Sequence, residues 1–136
     1  MKDPQPLPVP ECRRLLAQCP LGRLIFTEGA MPTARPVNFF VHHNDIVVRA
    51  ARDGVLAALD EQVVALEIDS LDTGSEAGWS VVAVGKAELV RDPERLALYT
   101  DPHQRPWVQG EESVVLRIPI KIVTGRRLSS AVCAVG

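Results

Sequence analysis

The stretch from Arg35 to Leu59, RPVNFFVHHNDIVVRAARDGVLAAL, decides how this 136-residue chain folds. Val37, Phe39 and Val41 alternate with Asn38, Phe40 and His42, the period of two that gives a strand two differently used faces. Asn44 and Asp45 follow, and both tolerate the positive φ of a tight two-residue turn. Ile46 to Ala50 then predicts a returning strand that carries Arg49. Arg52-Asp53-Gly54 breaks it, and Val55 to Glu61 predicts a short helix packed through Leu56 and Leu59. Arg49 would thus stand where a strand feeds a helix N-terminus, a place where backbone N–H groups and a cation jointly hold an anion.

Outward from this hairpin the same alternation recurs. On the N-terminal side, residues 1–10 hold four prolines and predict an extended lead-in. Glu11 to Gln18 carries apolar residues at helical spacing, through Cys12, Leu15, Leu16 and Cys19, and Arg23 to Thr27 predicts a strand. On the C-terminal side, Val64, Leu66 and Ile68 share one face of a further strand, and Leu71 to Gly78 predicts an exposed loop. Trp79 to Val90 predicts a long strand with Gly85 at a bulge or barrel bend. Asp92-Pro93-Glu94 opens a short helix, with Asp as cap and Pro in the first turn. The last strand places Val114, Leu116, Ile118, Ile120 and Ile122 on one face, and Pro119 puts it at an edge or bends it. Residues 129–136 predict a flexible tail, leaving residues 11–128 as one domain. About six antiparallel strands with short peripheral helices make the chain mainly β, and a closed or split β-barrel fits best.

Composition narrows the function. A formal net charge of -2 and scattered basic residues recruit neither nucleic acid nor an anionic membrane surface. No apolar run approaches the roughly 20 residues of a membrane span and no signal-peptide block opens the chain, so a cytoplasmic location is expected. Cys12, Cys19 and Cys133 lack the spacing of a zinc site and read as free thiols, so no metal is expected. His42 and His43 read as a solvated hairpin tip, and His103 lies in a loop. No Ser-His-Asp or Cys-His arrangement supports hydrolysis, and no catalytic side chain is assigned.

Seven segments in order resemble the pyridoxamine 5'-phosphate oxidase-like family, the flavin-binding split barrels. They are GRL at Gly22, RPVNFF at Arg35, IVVRAA at Ile46, LAAL at Leu56, GWSVVAVGKAE at Gly78, RPW at Arg105 and TGRRL at Thr124. The resemblance implies a homodimer with an FMN site at the subunit interface, and an oxidoreductase acting on a small organic substrate by hydride exchange at the flavin. It implies that Pro36, Val37 and Asn38 line the flavin ring and that Arg49 and the start of the next helix face its phosphate. Trp79, Ser80 and Trp107 would come from the partner and cover the ring. Such enzymes need no protein nucleophile, because the cofactor carries the chemistry.

The sequence departs from that pattern at the phosphate. Many flavin-binding relatives carry a Thr after the Arg and a Ser-Lys pair before the helix Leu, where this chain has Ala50, Gly54 and Val55. Losing about three charge-assisted hydrogen bonds, each worth roughly 1.5–3 kcal/mol, weakens a phosphate grip by about a hundredfold or more. Arg52 and the Gly54 amide are candidates to compensate. A deazaflavin with a longer tail, or a dimeric binding protein that has lost its cofactor, are the alternatives that this departure opens.

Overall fold

The computed structural model describes residues 5–72, 74, 77–102 and 113–128. Trp107, His103, Cys133 and the expected tail at 129–136 lie outside them. In chain order the elements are β1 (Gln5–Pro6), α1 (Val9–Gln18), β2 (Leu21–Glu28), β3 (Met31–His42) and β4 (Asp45–Ala51). A 3₁₀ helix (Val55–Leu59) follows, then β5 (Val63–Asp72), β6 (Ala77–Lys86), β7 (Glu88–Val90), α2 (Pro93–Leu96), β8 (Ser113–Pro119) and β9 (Ile122–Leu128).

Strand pairing runs in the order β1-β9-β6-β5-β2-β3-β4-β8-β7, antiparallel wherever two strands meet. β6 continues through the single residue Ala87 into β7, so the last strand of that order and the third, β6, belong to one bent strand. Pairing therefore closes on itself as a barrel of six staves, with β9 and then β1 added outside on β6. The bend is held at Ala87, whose N–H donates to the Gln62 carbonyl at 2.8 Å while its own carbonyl accepts from Glu61 at 2.8 Å.

Alternation fills the barrel. Leu24, Phe39, Ile46, Leu66, Val81 and Leu116 point inward and are essentially solvent-free. Each such side chain contributes about 1.5–3 kcal/mol by leaving water, and Leu66→Ala would cost about 2–5 kcal/mol. A second, smaller apolar cluster lies outside the barrel wall, where Phe40, Val47, Val90, Tyr99 and Val115 pack with Leu96 of α2. β4 and β8 are thus covered on both faces, which is why Val47 and Val115 are as buried as their inward neighbours.

Several elements differ from the expectation. The turn after β3 is His43-Asn44, closed by the pair His42 and Asp45, and the positive φ falls at His43 (55°). Asn44 is fixed instead by tertiary contacts: its amide donates to the Ile120 carbonyl at 3.1 Å and its side-chain oxygen accepts from Arg13 at 2.6 Å. α1 starts two residues earlier than expected, at Val9, because Pro8 and Pro10 suit a cap and a first turn. The lead-in is not merely extended, since Gln5 and Pro6 pair with β9 and Leu7 is buried. β5 and β6 run on into the expected loop, pairing Leu71 with Gly78 and Asp72 with Ala77. The expected final strand is two strands, because Pro119 ends β8 and the chain turns at Ile120-Lys121 to join β6. Ile122 consequently leaves the buried face and is 55% exposed.

Candidate functional site

Five strands, β9, β6, β5, β2 and β3, present an outer face that no helix among the described residues covers, and register fixes its rows. One row is apolar: Ile122, Val84, Ala65, Ile25 and Ala34. The next runs Thr124, Val82, Glu67, Arg23 and Pro36, and a third begins Arg126, Ser80, Asp69. Leu21 and Asn38 are paired beside it at the start of β2. Leu21 (57%) and Ile25 (37%) are exposed, which a lone β-sheet face would ordinarily avoid.

A hollow of about 210 Å³ opens in this face between Leu21, Pro36 and the ionic group of Arg23, Glu67 and Asp69. One Arg23 nitrogen donates to both carboxylates, at 2.9 Å each. Burial pushes the Glu67 carboxyl above its ordinary value, helped by Asp69 beside it and opposed by Arg23.

The positions expected to hold a flavin divide by strand parity. Pro36 and Asn38 are exposed on the outer face, whereas Val37 between them is buried in the barrel and can offer only its backbone. One step beyond the last β3-β4 pair, Phe39 with Val48, lie Asn38 and Arg49, so strand alternation sets Arg49 on the same outer side. Its guanidinium stands 6.0 Å from the Phe40 ring centroid, at the outer reach of a cation-π contact. Pro36, Asn38 and Arg49 are therefore one surface.

Ala50 points the other way, into the core at 3% exposure. A threonine hydroxyl there would be directed inside the barrel, so its absence removes nothing from the outer surface. The Gly54 N–H donates to the Ala51 carbonyl at 3.0 Å and is not available to an anion, contrary to the compensation expected of it. Val55 is exposed and lines a separate hollow beside the β2-β3 hairpin. Ser80 shares the outer face, but Trp79 faces the inner side, half-buried against the core between Ser70 and Arg127. Neighbouring residues on a strand cannot cover one ring from the same sheet face, so the GWS segment splits between two surfaces.

An aromatic contact explains the histidines. His42 packs edge-on against His43 (4.4 Å between centroids) and Tyr99 (5.2 Å) at the hairpin tip. Among the described residues no group of three or more His, Cys, Asp or Glu is placed to hold a metal ion, and no helix is long and apolar enough to cross a membrane.

A family model described as pyridoxamine 5'-phosphate oxidase matches residues 8–127. The chain belongs to the pyridoxamine 5'-phosphate oxidase family. It is 40% identical to an uncharacterized protein of Mycobacterium tuberculosis, over 87% of this chain and 81% of that one. Among solved structures it is similar to an FAD-binding protein from Mycobacterium smegmatis, with 31% identity, a TM-score of 0.80 and coverage of 92% of this chain and 98% of the other. It is also similar to a conserved protein of unknown function from Corynebacterium diphtheriae, with 27% identity, a TM-score of 0.77 and coverage of 93% and 99%. The six-stave barrel found here is the split barrel of that family, and the likeness runs through nearly the whole chain.

The outer surface suits a flavin in kind. Pro36 supplies a flat apolar edge, Asn38 an amide that both donates and accepts, and Arg49 a cation for a phosphate. Gly54 and Val55 add neither a hydroxyl nor a charge beside Arg49.

Proposed function

We propose that this protein is a homodimeric flavin-binding oxidoreductase whose ring site lies on the outer face at Pro36 and Asn38, and that its flavin is FAD ahead of FMN. The observation that carries the reading is the placement of Pro36, Asn38 and Arg49 on one surface at the edge of an uncovered apolar sheet face.

Distance supports the dimer. Ser80 lies on β6, three inter-strand steps from β3, which is about 14 Å at the usual strand spacing. One flat ring can meet Asn38 and Ser80 together only when two copies face each other. Two such copies would cover the row of Ile25, Ala65, Val84 and Ile122, the kind of apolar patch that marks an interface.

Bound flavin would supply hydride transfer to or from a small organic substrate. The chain's own residues would do the rest: Asn38 orients the ring edge by hydrogen bonding, Pro36 and the apolar rows exclude water, and Arg49 neutralises phosphate charge. FAD is favoured because the similar M. smegmatis protein is an FAD-binding protein. A thin grip on the first phosphate also gains most from a tail with further contacts.

The test is titration of the cofactor-free protein with FMN, FAD and a deazaflavin in turn, followed by flavin fluorescence. Saturable FAD binding on the order of 1 μM or tighter is expected. Binding of the deazaflavin alone would replace the cofactor in this reading, and no binding of any of the three at hundreds of micromolar would overturn it in favour of a cofactor-free dimeric binding protein.

A further inference from the structure

We infer that the hollow between the 3₁₀ helix and the β2-β3 hairpin is a purine subsite that takes the adenosine end of FAD. The inference rests on the flavin reading above and adds to it a second place on the protein where the cofactor is recognised.

The hollow encloses about 380 Å³, within the range of about 300–1,000 Å³ that small-molecule sites occupy. Phe26, Val55, Ala58 and Leu59 form apolar walls. Phe26 and Leu59 are themselves buried in the barrel core, at 3% and 4% exposure, so two of those walls are fixed by packing. Thr27, Glu28 and Gln62 supply the polar rim. Flat apolar walls with a few donors and acceptors at the edge are what a purine requires. Its faces lose water against carbon, a carboxylate accepts from its exocyclic amine, and an amide or hydroxyl pairs with its ring nitrogens.

Position ties the hollow to the flavin. Arg49 lies two residues before Ala51, the last residue of β4, and the bond from the Gly54 N–H to the Ala51 carbonyl folds the chain back at once. Such a turn keeps its first and fourth Cα atoms within about 7 Å, and Val55, the first residue of the 3₁₀ helix, follows directly as a wall of the hollow. The path from the Arg49 surface to the hollow is therefore short, and Gly54 places no side chain across it.

Gly54 and Val55 keep this path open. A lysine at Val55 would project a long charged chain from the wall of the hollow, and a valine leaves it apolar and open. These two residues leave room for a nucleotide tail, with Arg49 and Arg52 on the segment that the diphosphate would follow.

The test compares FAD and FMN affinities in the wild-type protein and in Ala58→Trp, which fills the hollow from an exposed position. Ala58→Glu serves as a second variant that opposes the diphosphate tail by charge should the tryptophan disturb folding. Wild-type protein should bind FAD at least about tenfold tighter than FMN. Both variants should lower the FAD affinity to that of FMN and leave FMN unchanged. Equal FAD and FMN affinities in the wild type, or an FAD affinity indifferent to both substitutions, would overturn the subsite while leaving the flavin reading intact. Binding of neither flavin would overturn both.

Discussion

A Cβ built on Gly85 would stand 2.0 Å from the Pro119 carbonyl oxygen, so the backbones of β6 and the end of β8 touch directly. Two residues later, the Lys121 N–H donates to the Val84 carbonyl at 2.9 Å. This is where the chain leaves the barrel stave β8 and becomes β9, and no side chain fits between.

Gly85→Ala should therefore be among the most damaging single substitutions, at about 3 kcal/mol or more, since the clash is with backbone that cannot turn aside. Gly54→Ala is its control: φ there is -84° and the nearest contact would be an ordinary 3.4 Å. That change should be neutral or stabilising by up to about 1 kcal/mol, through the unfolded chain. Urea unfolding of both variants gives the comparison.

Ile25→Asp should convert the protein to a monomer. Ile25 is 37% exposed within the apolar row, between Ala65 and Ala34, and a charge there would have to be desolvated in any face-to-face dimer. Folding should survive, because the side chain points outward. Sedimentation velocity should show the lower mass, and FAD affinity should fall by at least about tenfold with it. A monomeric wild type would end the argument from the 14 Å separation.

Gly54→Ser combined with Val55→Lys should tighten FMN by about tenfold to a hundredfold by restoring a hydroxyl and a charge near Arg49. The serine has room, as the Gly54 geometry shows. The same pair should reduce the preference for FAD, since the lysine rises from a wall of the proposed purine hollow. Fluorescence titration with both flavins reads the two effects at once.

Acid should loosen the outer cluster through Glu88. Its carboxylate accepts from Arg95 of α2 at 2.8 Å and from Arg117 of β8 at 3.1 Å. Arg95 first, and then Arg117, hold the Glu88 carboxyl below its ordinary value of 4.5, against an opposing effect of burial. A lowered folded value means that the contribution is present above pH 4.5 and is lost as pH falls through the folded value. Because the Glu88 side chain is 42% exposed, solvent limits it to about 1 kcal/mol or less. Glu88→Gln should lower the thermal midpoint slightly at pH 7, and the difference should shrink as pH falls below 4.5, when the two proteins are compared by circular dichroism.

Much of the barrel was legible from alternation alone, because a strand with one face in a core must repeat every two residues. Val64, Leu66 and Ile68 fell inside as their spacing required, and so did Val114, Leu116, Ile118 and Ile120. The Asp92 cap and the special place of Gly85 were equally readable, since each depends on chemistry within a few residues. By contrast, the turn at His43-Asn44 and the corner at Pro119 were displaced or divided by contacts from far along the chain.

The site separates in the same way. By itself the sequence determined the residue types: a proline and an asparagine on one strand, an arginine on the next, and a glycine and a valine before the Leu56 that follows. Only the tertiary structure decided which of them share a surface. Strand parity sent Val37, Ala50 and Trp79 inward and left Pro36, Asn38, Arg49 and Ser80 outward. Register then set Ser80 three strands away from Asn38. Parity can be guessed from a hydrophobic pattern, but register depends on which strands pair, and that is settled by long-range packing rather than by any local run of residues.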